Sequence, residues 1–198
     1  MVEEYTKLQL EDKAFNALKD CDKVLDVGCG VGKFLSRCPD KFIGIDINQD
    51  NVDICLEKGL TAFQCDVTNP EEIEKLFKTN KDECGGWFDG IHCSHVLEHL
   101  MPDKAWKALA SMSYMLKKQG TFVIRTLLMS DMFWDDFTHI KPYYPQAIRH
   151  YLIPLSTEQR TLKKIRWADF EEMKLEWRVG MTGYLIILRK KKGNNELS

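Results

Sequence analysis

The chain has 198 residues, 28 basic against 30 acidic side chains for a formal charge of −2, and 44% hydrophobic residues. That length suits one domain with a substantial core; no 18-residue apolar run could cross a bilayer, MVEEYTKLQLEDKAF lacks the basic and apolar regions of a secretory signal, and the charge gives no general attraction to nucleic acid. Cys21, Cys29, Cys38, Cys55, Cys65, Cys84 and Cys93, an odd set without a CxxC pair, favour reduced thiols and a cytoplasmic protein over a disulfide framework.

Residues 3–20 alternate charged and apolar positions at helical spacing, with Tyr5, Leu8, Phe15 and Leu18 as the expected buried set. KVLDV (23–27) reads as a first strand and KFIGIDI (41–47) as a second that ends in acid, with a short helix between them from about Gly32 to Cys38, closed by Pro39. NQDNVDICLEKGL is a helix with Gly59 as its C-cap. TAFQCDV (61–67) is the third strand, and PEEIEKLFKTN (70–80) is a helix opened by Pro70, its first acids placed well for the helix dipole.

GWFDGIHCSHV (86–96) is the fourth strand, followed by a helix from about Asp103 to Lys118. TFVIRTLL (121–128) is nearly continuous in apolar residues, the pattern of a parallel strand buried on both faces. EMKLEWRV (172–179) and GYLIILRKK (183–191) are joined too tightly for a crossover and must form an antiparallel hairpin. Strand–helix alternation predicts an open α/β sheet with helices on both faces. No repeat or linker divides the chain, so residues 1–198 are expected to be a single domain, and the final RKKKG run reads as a solvated end.

The turn inside VLDVGCGVGKFL (24–35) sets Gly28, Gly30 and Gly32 where a ligand meets the backbone closely, at an expected helix N-terminus. It is not a phosphate-binding P-loop, because Phe34 stands where Ser or Thr would hold magnesium. Nor is it a GxGxxG dinucleotide fingerprint, because the spacing is GxGxG and Lys33 takes the third glycine's place. With Asp26 before it, the loop resembles motif I of the class I S-adenosylmethionine (SAM) dependent methyltransferases. GIDI and QCDV then follow in that family's order, and CSHVLEHL (93–100) resembles the SHVLEHL element of many small methyltransferases; together these cover about half the chain.

The resemblance implies a Rossmann-like, seven-stranded, mostly parallel sheet ending in the antiparallel hairpin, with SAM as cofactor. Ligands of open α/β sheets sit beyond the carboxyl ends of the strands, at the switch point. There the loop from Asp26 through Gly28, Cys29, Gly30 and Gly32 is expected to wrap the methionine portion. Asp46, followed by Ile47, is expected at the ribose hydroxyls, and Asp66 with the Val67 N–H at the adenine. The backbone of Cys93, Ser94 and His95 is expected to face the methionine portion and sulfonium. For Asp66 a plain helix N-cap is the competing assignment.

MSDMFWDDFTHIKPYYPQAIRHYLIP (129–154) resembles the DxTHxxPYxPxxL-type insertion of some small methyltransferases, with Ile148 at the last apolar position. It reads as a substrate-facing lid, with His139 as general base, Asp135 or Asp136 to orient it or bind the acceptor, and Tyr143 and Tyr144 lining the pocket. The competing assignment is that Phe133, Trp134 and Phe137 pack the loop down while the aspartates cap a turn. His92, His95 and His99 straddle a strand, a turn and a helix start, so no metal is expected. The chain lacks a (D/N)PP(Y/F) element, and Cys84 and Cys93 lack a Pro-Cys setting, so a small-molecule, lipid or glycan acceptor is expected rather than nucleic acid. Two other functions compete: a non-catalytic SAM-binding regulatory subunit or sensor, and a nicotinamide oxidoreductase, which the loop spacing and the hairpin oppose.

Overall fold

The computed structural model describes residues 3–77, 86–153 and 170–191; the end of the expected 70–80 helix, Cys84, Pro154 and the basic run beyond Lys191 lie outside them. Side-chain alternation sorts strand residues onto two faces. In β2 (Val24–Val27) Leu25 and Val27 serve one face and Val24 the other, and in β6 (Leu116–Leu127) Phe122 and Ile124 oppose Val123. The first face is covered by α3 (Pro70–Phe77), α4 (Pro102–Met115) and α6 (Pro145–Leu152), through Ile73, Leu109, Met112, Ile148 and Leu152. The second is covered by α1 (Lys7–Leu18) and α2 (Gln49–Glu57), through Leu10, Ala14, Leu18, Val52 and Cys55. Each of the Leu, Ile, Val and Met side chains among these, fully buried, contributes about 1.5–3 kcal/mol.

The remaining strands are β1 (Glu4–Tyr5), β3 (Phe42–Asp46), β4 (Ala62–Gln64), β5 (Phe88–Ser94), β7 (Phe170–Arg178) and β8 (Gly183–Lys190), in the order β1-β7-β8-β6-β5-β2-β3-β4. Strands β2 to β6 run parallel, and β8 lies antiparallel between β6 and β7. All seven expected strands are present; the two-residue β1 adds an eighth, parallel to β7 at the edge. From β2 the chain runs outward to β3 and β4, then returns to β5 on the other side. That reversal places the switch-point crevice at the carboxyl ends of β2 and β5. Among the described residues no helix is long and apolar enough to cross a membrane.

Several local expectations are corrected. The segment after the glycine loop is only a 3₁₀ turn, Leu35–Arg37, not a helix from Gly32 to Cys38. Gly32 holds φ +81 at one end, and Pro39 steers Cys38 to an extended φ of −154 at the other, leaving too few residues to nucleate a helix. The loop therefore has no α-helix dipole behind it, and the amides of Gly28, Cys29, Gly30 and Gly32 are spent within the protein, on Ile45, Asp46 and Cys29. Helix α1 begins at Lys7, where Thr6 and Gln9 form a reciprocal capping box (3.2 and 2.8 Å), so Leu8 faces outward and Leu10 takes its place in the core. Helix α4 stops at Met115, and Leu116 already pairs with Phe88 in the sheet.

Candidate cofactor and acceptor site

Glycine is required at two turns of the loop that follows β2. Gly28 (φ +69) donates its N–H to the Ile45 carbonyl at 2.8 Å, and a Cβ there would lie 2.3 Å from Val96 Cγ2. At Gly32 (φ +81) a Cβ would meet Leu60 Cδ1 at 2.5 Å. Gly30 donates its N–H to Asp46 Oδ2 at 2.8 Å, so the loop is braced by the acid that ends the next strand. The Cys29 thiol is buried against Gly44, where a Cβ would come within 2.6 Å of it; burial raises its pKa, and its role is packing.

Two cavities open beyond the strand ends and share Gly28 and His95. The first, about 240 Å³, is walled by Gly28, Asp46, Ile47, Asp66, Val67, His95 and His99 among others. The second, about 190 Å³, is walled by Lys7, Glu11, Asp26, Cys29, Lys33, His92, Ser94 and Arg125. Together they reach the size range of ligand sites, roughly 300–1,000 Å³. Of the expected cofactor residues, Gly30 and Gly32 shape the loop without lining either cavity. Cys93 also lines neither, its thiol being wholly buried in the core and pushed well up in pKa by that burial.

The strand-end carboxylates keep acceptor capacity after their local bonds. Asp46 takes Gly30 N on Oδ2, and Asn48 N (2.9 Å) and Asn51 Nδ2 (3.3 Å) on Oδ1. A carboxylate has about four lone-pair directions, so one remains on the cavity side. Asp66 accepts the Thr68 N–H at 2.8 Å in a local turn; the cap of α3 is instead Asn69, which accepts from Glu71 N at 3.1 Å. In the second cavity Asp26 holds His92 Nδ1 at 2.7 Å beneath the Phe34 ring, which stacks on that imidazole with centroids 3.7 Å apart. His92 Nε2 is buried without a partner among the described residues.

A buried polar relay, unforeseen in the sequence, stands where the cavities meet. His95 holds φ +58, a strained left-handed conformation for a non-glycine residue, at the end of β5. Its Nε2 accepts from Arg125 Nη2 at 2.9 Å, so its Nδ1–H donates to Glu98 Oε1 at 2.8 Å, and Thr126 Oγ1 donates to Glu98 Oε2 at 2.8 Å. Burial lowers the His95 pKa and keeps the ring neutral. Burial alone would push Glu98 up, but the His95 and Thr126 hydrogen bonds hold it below the usual range. A signal was present: Arg125 interrupts the apolar run of TFVIRTLL, and a charge inside a buried strand needs a partner.

The segment after β6 folds back over this corner through α5 (Asp131–Trp134) and α6. His139 Nδ1 donates to the Phe133 carbonyl at 2.7 Å, and its Nε2 lies 3.8 Å from Asp136 Oδ2. His139 does not line either cavity; His99 does, and its Nδ1 meets the Thr138 hydroxyl at 2.8 Å. That hydroxyl donates to Asp136 Oδ1 at 2.6 Å, and this bond with the Thr138 N–H holds Asp136 below its ordinary pKa. Asp135 is exposed at the end of α5, Tyr143 is buried with its hydroxyl on the Leu100 carbonyl (2.9 Å), and Tyr144 is exposed. Phe133 packs down completely, whereas Trp134 and Phe137 face outward. His92, His95 and His99 are each held by a different partner: Asp26, Glu98 and Thr138.

Residues 3–178 match the model of a family described as methyltransferase domain. The chain is similar to the ribosomal RNA large subunit methyltransferase E of Methanocaldococcus jannaschii, 26% identical over 192 residues that cover 84% of this chain and 75% of that protein. Of other curated relatives it spans between 28% and 58% of the length. Its fold is similar to a SAM-dependent methyltransferase from Archaeoglobus fulgidus (TM-score 0.69, 22% identity, 93% and 92% of the two chains). It is also similar to the N-methyltransferase NodS of Bradyrhizobium japonicum, solved with S-adenosylhomocysteine (TM-score 0.63, 14% identity, 96% and 90%).

Proposed function

The chain belongs to the methyltransferase domain family, among the class I SAM-dependent enzymes, and on that premise we propose how its two cavities divide the cofactor. The adenosine lies in the first cavity, its ribose hydroxyls on Asp46 and its adenine amine on Asp66, with the Val67 N–H at a ring nitrogen. The methionine end lies in the second, whose wall carries both signs of charge: Asp26 and Glu11 suit the ammonium, Lys7 and Arg125 the carboxylate. The observation that carries this reading is the pairing itself: a cavity with two strand-end carboxylates joined, at Gly28 and His95, to one with mixed charge.

The sulfonium then falls at the junction, and transfer is an in-line displacement. The S–CH₃ bond breaks as the bond from methyl to acceptor forms, the sulfur leaves as neutral thioether, and an acceptor hydroxyl releases its proton. Positioning supplies much of the acceleration. The corner of Glu98, His99 and His139 is where that proton is managed, His139 through the Nε2 lone pair left when Nδ1–H binds Phe133. Asp136 orients His99 through Thr138, and Asp135 stands at the lid surface toward the acceptor.

The acceptor is a small molecule, lipid or glycan. What supports this is the stretch from Asp131 to Phe137, which presents exposed Trp134 and Phe137 beside Asp131, Asp135 and Asp136, an apolar and acidic patch poorly suited to a phosphate backbone, although Lys141 lies exposed further along the segment. The relative named as a ribosomal RNA methyltransferase favours RNA as a second reading.

Calorimetric titration with SAM, S-adenosylhomocysteine and NADH tests the cofactor site; both adenosyl ligands are expected to bind and NADH to stay silent. Labelled-methyl transfer into fractionated cell extract then tests the acceptor. Label in RNA alone would overturn the small-acceptor reading.

A further inference from the structure

One carboxylate oxygen of Glu98 and one ring nitrogen each of His99 and His139 lie within 4.8 Å of one another. No hydrogen bond joins any two of the three among the described residues, since each has its partner elsewhere. His139 gives its Nδ1–H to the Phe133 carbonyl at 2.7 Å. His99 Nδ1 faces the Thr138 carbonyl at 3.3 Å and the Thr138 hydroxyl at 2.8 Å; that hydroxyl has committed its proton to Asp136, so Nδ1 is again the donor. Both imidazoles are thus left with Nε2 as the lone pair. An acceptor behind Nδ1 that fixes tautomer and ring orientation is the arrangement found behind metal-ligating histidines. Glu98 is oriented in the same way, by His95 and Thr126, and is wholly buried.

We infer that Glu98, His99 and His139 form a divalent transition-metal site of two imidazoles and one carboxylate. Two imidazoles with one carboxylate suit Zn²⁺, Co²⁺ or Fe²⁺ better than Mg²⁺, Ca²⁺ or Mn²⁺, which favour oxygen. An ion about 2.0–2.1 Å from each ligand atom draws them to roughly 3.3 Å apart, so His139 moves inward with its segment by about an ångström on binding. Three protein ligands leave a position open. Because His99 is also on the wall of the first cavity, that position faces the methyl donor and accepts an oxygen of the acceptor, whose proton the ion makes easier to lose. This last role rests on the cofactor reading of the cavity, and with an ion bound it replaces His139 as base, because the His139 Nε2 lone pair is then a ligand; the binding of metal itself does not rest on that reading.

The test is titration of chelator-stripped protein with cobalt(II) chloride alone, read by visible absorption, with bound metal counted per chain. One Co²⁺ per chain, displaced by Zn²⁺ and showing bands of nitrogen and oxygen ligation, is expected. His139→Phe keeps a flat ring on Phe133, where the native centroids are 4.9 Å apart, and should weaken cobalt binding by more than about tenfold. If that variant does not fold, His99→Asn carries the same expectation. Failure of the folded protein to bind cobalt, thiolate charge-transfer bands, or unchanged affinity in a folded variant overturns the site. S-adenosylhomocysteine calorimetry on the same preparations reports on the cofactor reading separately, so either can fail alone.

Discussion

At the scale of single residues, Asp46 and Gly28 each do two things that substitution separates. Asp46 braces Gly30 with one oxygen and the start of α2 with the other, and has one lone pair left on the wall of the first cavity. Asp46→Asn preserves shape but removes the charge that strengthens every bond it accepts. Charge-assisted bonds contribute about 1.5–3 kcal/mol, so SAM affinity should fall by about tenfold or more in calorimetry while the variant still folds; unchanged affinity would remove Asp46 from the ribose. Gly28→Ala meets two penalties, a left-handed backbone costing roughly 1–2 kcal/mol and a clash with Val96 that overpacking data put at about 1–3 kcal/mol. Val96→Ala relieves only the second. In denaturant unfolding, Gly28→Ala should therefore cost less in the Val96→Ala background than alone; strictly additive effects would mean that Val96 already yields to a methyl group.

At the scale of elements, strands were legible because period-2 burial and strand-end acids are local signals. The capping box of α1 was legible too, as TKLQ, and would have corrected the burial of Leu8. The short helix after the glycine loop was not, because a glycine at positive φ and a proline together outweigh the apolar spacing between them. The site was half legible. Asp46, Asp66 and the loop are set by strand ends, whereas the cluster around Glu98, beyond its neighbours His95 and His99, needs Thr126 and His139, 28 and 41 positions away, which only the tertiary fold brings in. The same holds for the end of α4, which has no basic residue in its last turn; the cap arrives from β8, where Lys190 Nζ donates to the Ser113 and Leu116 carbonyls at 2.6 and 2.7 Å. Burial, with Lys118 nearby, pushes the Lys190 pKa down to about 8, against about 10.4 for an unfolded lysine. Between those values the unfolded chain binds the extra proton, so this group makes stability rise with pH there and has no pH effect below about pH 8. The stability difference between wild type and Lys190→Met should accordingly grow in favour of wild type from pH 8 to 10, buried thiols cancelling in the comparison; a flat difference would mean that the amine keeps its ordinary pKa.

At the scale of the whole molecule, the segment after β6 is fastened at its base and free at its face. Tyr184 of β8 donates to the Tyr143 carbonyl at 2.7 Å, Tyr143 donates to the Leu100 carbonyl, and the Ile140 and Lys141 amides both reach the Glu98 carbonyl. Arg149 of α6 forks onto Glu172 of β7 with two bonds of 2.7 Å. Against these anchors, Phe137 is fully exposed. The His99–Thr138 and Tyr143–Leu100 bonds link this segment to the wall of the first cavity, so a bound cofactor and an anchored segment should stabilise each other. Tyr184→Phe leaves a buried carbonyl without its donor, a loss of about 1–3 kcal/mol, and lowers the cost of opening the segment locally. Limited proteolysis should then cut within residues 129–153 several-fold faster than in wild type, and S-adenosylhomocysteine should slow the cut in both proteins. Cleavage that the ligand does not alter would uncouple the segment from the cavity and leave it as packing, with the acceptor approaching from elsewhere on the sheet's edge.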